Sequence, residues 1–70
     1  MSDVNIEMIF AHARRHIGSK AGFDPHKVIA VVREAPEEHH EDLVMRLGRT
    51  AHQEIGEGAA TAIREAFTLG

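Results

Sequence analysis

Two histidines one helical turn apart, His12 and His16, are the first residues in this sequence whose spacing could do chemistry. Four positions apart on a helix, they place both imidazoles on one edge, a geometry able to hold zinc through two nitrogens. Such a site needs at least one more ligand, and the stretch EEHHED, residues 37–42, offers His39, His40, Glu41 and Asp42. The same pair is equally what two solvated polar residues beside an apolar stripe look like. No HExxH sequence accompanies it to bring a catalytic base. The sequence therefore assigns no metal and no cofactor. A His-dependent metal-binding helical protein stands as the third-ranked reading.

Nucleophilic catalysis finds less still. The chain has no Cys, Tyr or Trp. Its hydroxyls are Ser2, Ser19, Thr50, Thr61 and Thr68, none of them in a nucleophile motif. The glycine-containing stretches GSKAG and GEG match neither a phosphate-binding loop nor a dinucleotide fingerprint. A chain of 70 residues would also struggle to enclose a water-free pocket as a monomer. The expectation is a protein that is not an enzyme and has no catalytic residues.

Charge bears on partners. Eleven Asp and Glu against eight Lys and Arg give a formal charge of −3 with His neutral. A protein that neutralises several phosphates normally shows a basic excess, so nucleic acid is not the expected partner. Five of the acids lie in EAPEEHHED, residues 34–42. They suit the positive start of a helix, or a patch that docks on a basic surface of another protein. Arg14, Arg15, Arg46, Arg49 and Arg64 form no stripe and read as surface charge with some internal pairing, for example with Glu34. The runner-up reading is a small DNA-binding regulator of helix-turn-helix type. Against it stand the charge and the want of a short recognition helix rich in Arg, Lys, Gln or Asn after a tight turn.

The elements that must position these side chains are helical. The expected architecture is all-α, a single domain over residues 1–70 built of three helices. The first spans about residues 3–18, with Ser2 as its N-cap. Ile6, Ile9, Phe10, Ala13 and Ile17 gather on its buried face, and Gly18 and Gly22 bracket its exit. The second spans about 25–35 and has the best-defined start in the chain. In FDPHKV, Asp24 can cap, Pro25 fits the first helical position, and Phe23 and Val28 stand where a hydrophobic staple would be. Pro36 disfavours helical geometry at Ala35. A third, longer helix then runs over about 37–68, with a break near Gly56–Gly58 as the main alternative to a continuous rod.

The third helix carries an unbroken i+4 series: Leu43, Leu47, Ala51, Ile55, Ala59, Ile63 and Phe67. Helices that meet along such ridges cross at about −50°. The small residues beside the ridge, among them Gly48 and Ala60, suit a close helix–helix contact better than a bulky core. A core in a chain this short rarely supplies more than about 3–5 kcal/mol net. The absence of Cys removes disulfides as a supplement, which leaves a metal or a second chain as the remaining source of stability. The expected interface is therefore Leu47, Gly48, Ala51, Ile55, Ala59, Ile63 and Phe67, with Met8 as an exposed, adaptable contact on the first helix.

Together these readings point to a non-enzymatic protein–protein interaction module. The expected form is a homodimer that binds and modulates a regulatory protein, as an inhibitor or anti-activator of bacterial or phage origin. That last analogy rests on size and composition alone. No stretch approaches the ~20 apolar residues of a membrane span. The sequence also begins without a basic segment followed by an apolar run and a cleavage site, so the expected compartment is the cytoplasm.

Overall fold

Two of the three expected helices form as single rods, and the third divides. A computed structural model describes residues 5–18 and 22–69, and among these the secondary structure is helical, with no strand. Helix α1 spans Ile6–Arg15, α2 Pro25–Arg33, α3 His40–Glu54 and α4 Glu57–Leu69. A 3-10 turn, Glu37–His39, leads into α3.

Each boundary has a local cause. Asn5 caps α1, its side-chain oxygen accepting from the Met8 N–H at 3.1 Å. Ser2, the expected cap, lies outside the described residues. Two residues past the α1 C-cap His16, Gly18 turns into the left-handed region, where the lack of a Cβ removes the steric penalty. At α2 the sequence and the structure agree in detail: the Asp24 carboxylate accepts from the His26 N–H at 3.0 Å, and Pro25 is the first helical residue. Pro36 is extended, with ψ 139°. His40, the first residue of α3, reaches back so that its Nε2–H donates to the Ala35 carbonyl at 2.6 Å. A carbonyl only accepts, which fixes the proton on Nε2.

The continuous third helix is corrected to two, which makes four α-helices among the described residues. The Ala51 carbonyl accepts from both Ile55 and Gly56 N–H, at 2.8 and 3.0 Å, closing the last turn of α3. Gly56 then adopts a strongly positive φ, φ 143 in degrees. Residues with a Cβ rarely take such a conformation. Its carbonyl accepts from the Ala59 N–H at 3.1 Å to open α4. Residues 55 and 56 thus make a corner, and α4 folds back against α3.

All four helices meet in one core. Ile17, Val28, Val32, Leu43, Leu47 and Ile63 have their side chains sealed from solvent. Each such burial contributes roughly 1.5–3 kcal/mol relative to exposure. Ile6, Ile9, Phe10, Phe23, Ile55 and Phe67 pack half-buried around them. Polar pairs fix the rim. Glu7 bonds Arg46 at 3.1 Å and Arg14 pairs with Glu54, so α1 and α3 run in the same direction. Between these pairs the Arg46 guanidinium lies 4.5 Å from the Phe10 ring centre. Glu34 makes no ion pair with other described residues. At the other end Arg33 donates to the Phe67 carbonyl at 2.6 Å in the last turn of α4. The Phe67 ring centre lies 5.3 Å from that guanidinium and 6.3 Å from the His40 ring centre, the two rings nearly perpendicular.

Candidate interaction surface

The corner at Gly56 decides what the i+4 series can do. Because α4 doubles back, Leu43, Leu47 and Ala51 on α3 and Ala59 and Ile63 on α4 enter the same core cluster. Leu47, Ala51 and Ile63 have 0% exposure and Ala59 is buried. Ile55 and Phe67 are half-buried against that core. The ridge expected as an interface is therefore covered by the chain itself. Of the eight residues expected there, Met8 alone stands well out of the core, at 68% exposure.

Gly48 differs from its neighbours in the series. It is buried at the floor of an open groove of about 280 Å³ between α3 and α4, bordered by Met45, Arg49, His52, Ala60 and Arg64. Yet a Cβ built on Gly48 would meet no atom within 4 Å. Ala51 on α3 and Ala59, Ala60 and Ala66 on α4 are buried as well, and the fold does not require glycine at position 48.

Exposed apolar side chains mark two surfaces. On α1, Met8 borders a shallow depression with Ala11, His12 and Arg15. On α3, Met45 is 60% exposed. Successive positions on a helix are about 100° apart, so Glu41, Asp42, Gly48, Arg49 and His52 share the Met45 side. Glu41, Arg49 and His52 are exposed, and Asp42 stands in water with them. Arg49 and Arg64 make no ion pair with other described residues, in contrast to Arg14 and Arg46. Met45 was not among the sequence candidates. Its signal was there: a large apolar side chain three and four positions beyond two acids, on what is otherwise the polar side of an amphipathic helix. Leu69, at 82% exposure in the last turn of α4, was missed likewise.

The chemistry-bearing residues are dispersed. His12 and His16 lie with ring centres 5.4 Å apart, edge to face. Among the described residues no group of three His, Asp or Glu lies together in a way that could hold a metal ion, so His39, His40, Glu41 and Asp42 do not complete that pair. His39 lies 3.6 Å from the Glu38 carboxylate, and His40 is committed to Ala35. The hydroxyls of Thr50 and Thr68 are turned back onto the carbonyls of Arg46 and Arg64, at 3.1 and 3.0 Å. Among the described residues no side-chain polar atom is buried without a partner. Nor is any described helix long and apolar enough to cross a membrane. The chain matches no protein-family model, and no match is found among curated proteins or solved structures.

Proposed function

We propose that this chain is a non-enzymatic protein–protein interaction module of the cytoplasm, a homodimer that binds and modulates a regulatory protein. The observation that carries the reading is the pair of exposed methionines, Met8 on α1 and Met45 on α3, in a molecule whose other large apolar side chains mostly pack into one core. An exposed Met on a rigid helix offers an adaptable apolar contact with several rotamers available to fit a partner. Around Met8 the small and basic neighbours Ala11, His12 and Arg15 favour close approach and an acidic counter-surface, whereas Met45 is flanked by acids on one side and by Arg49 on the other. Modulation by occupancy needs no chemistry from the module, only a surface that competes for part of its target.

Capture from nuclease-treated lysate, using tagged wild type beside Met8→Arg and Met45→Arg, tests this reading. A stoichiometric protein retained by the wild type and lost in one of the two variants supports it. If no protein is captured and the purified wild type instead retards a DNA duplex, weakening steeply with salt, the reading is overturned in favour of the helix-turn-helix regulator. A thermal midpoint that falls in chelator and is insensitive to chelator in His16→Ala would favour the metal-dependent reading.

A further inference from the structure

We infer that the outer face of α3 is a self-complementary docking surface, and that its occupant is α3 of a second copy lying antiparallel across it. The inference rests on the reading of the chain as an interaction module and names the surface by which it pairs. Three observations converge. Glycine in a helix interior is unfavourable by about 1 kcal/mol relative to Ala. The space above Gly48 is open, so nothing within the chain calls for that cost. Met45, 60% exposed, sits one turn before Gly48 on the same side of the helix. The polar side chains on this face are sorted along the helix, with the acids Glu41 and Asp42 before Met45, and the cationic Arg49 and the hydrogen-bonding imidazole of His52 after it.

A two-fold axis between Met45 and Gly48 makes these features answer one another. Each Met45 then enters the hollow over the other copy's Gly48. Each Glu41 meets His52 across the axis, and each Asp42 meets Arg49. A closed, isologous contact of this kind repeats every interaction twice and leaves no open end to polymerise. Laid parallel, the same helices would set acid against acid and base against base, which the antiparallel arrangement avoids. A contact of about three helical turns falls at the small end of stable interfaces, so the expected dissociation constant is about micromolar. The rim charges are exposed and screened, so association weakens as salt rises.

Sedimentation equilibrium over a concentration series tests the pairing. The wild type should shift from monomer to dimer mass. Met45→Glu should remain monomeric with unchanged far-UV circular dichroism. Gly48→Ala fills the hollow with a methyl group that the fold itself accommodates, and should weaken association about tenfold. Asp42→Arg and Arg49→Asp should each weaken self-association about tenfold as well. Their equimolar mixture should recover the dimer, because each restores the other's missing partner. A wild type that is monomeric up to about 1 mM, a dimer that survives both Met45→Glu and Gly48→Ala, or charge variants that fail to complement would each overturn the inference. If the protein is monomeric yet still captures a protein from lysate, the α3 pairing fails alone. If it is monomeric and captures none, the interaction-module reading fails with it.

Discussion

On its inner side α3 presents Leu43, Leu47 and Ala51, none with any solvent exposure; on its outer side Glu41, Met45, Arg49 and His52 all stand in water. The two sides use small residues for different ends. Ala51 is small where the core is closed around it, whereas Gly48 is small although a Cβ there would meet no atom within 4 Å. Low volume on a helix is thus not one signal but two, and only the space above the residue separates them. A small residue facing an occupied space records packing already achieved. One facing an empty space marks a position where the chain alone gives no reason for its size.

The sharpest way to break this contrast is to carve the inner side. Leu47→Ala removes a fully buried side chain, at a cost of about 3 kcal/mol. That rivals the net ~3–5 kcal/mol a core of this size supplies. Circular dichroism at ordinary temperature should find this variant largely unfolded. A folded Leu47→Ala would mean the inner side is far less tightly packed than its burial implies. Next in size is the corner that creates the inner side. Gly56→Ala forces a residue with a Cβ into a backbone conformation that favours glycine. It should lower the stability measured by urea titration by about 2 kcal/mol.

Gly48→Ala sharpens the contrast by changing sign. The added methyl meets open space in a helix interior. Measured below the concentration range of self-association, it should therefore stabilise the monomer by up to about 1 kcal/mol. A destabilised Gly48→Ala monomer would put position 48 in the same class as Ala51. The smallest effect belongs to the rim, where Glu7→Gln removes an exposed partner of Arg46. The loss should be at most about 1 kcal/mol, the upper end for exposed ion pairs. A thermal melt at low salt would detect it, and high salt should abolish it.

Local chemistry was the part of this fold written most plainly in the sequence. The start of α2 could be read residue by residue, because Asp24, Pro25 and their neighbours act over a few bonds and need no tertiary partner. The buried side of α1 followed equally from periodicity: Ala13 and Ile17 are sealed, and Ile6, Ile9 and Phe10 pack against the core. The division of the long third helix was visible as an alternative, since Gly56 and Gly58 both weaken a helix. Which of them turned the chain depended on a backbone angle that composition does not carry. The interface was read less well. The i+4 ridge correctly marks side chains that seek cover, but periodicity runs undisturbed through residues 55 and 56 and cannot say that the cover comes from the same chain. Met45 escaped notice for the converse reason. Apolar stripes are recognised by their apolar neighbours, and Met45 stands among charges.

The tight corner at Ile55 and Gly56 also bears on the order in which the molecule assembles. With so short a link, α3 and α4 can find one another through contacts close in sequence, the kind that form with little loss of chain freedom and favour fast folding. Docking α1 onto α3 closes a far longer loop, from Arg14 to Glu54, and apart from the buried Ala13 it uses half-buried side chains and exposed pairs. The hairpin of α3 and α4 is thus the natural nucleus, and α1 the last helix to settle and the first to lift. In deuterated water, amides around Leu47 and Ile63 would exchange slowest and those of α1 soonest. A partner that grips the Met8 side would then draw its first foothold from the most readily opened helix in the protein.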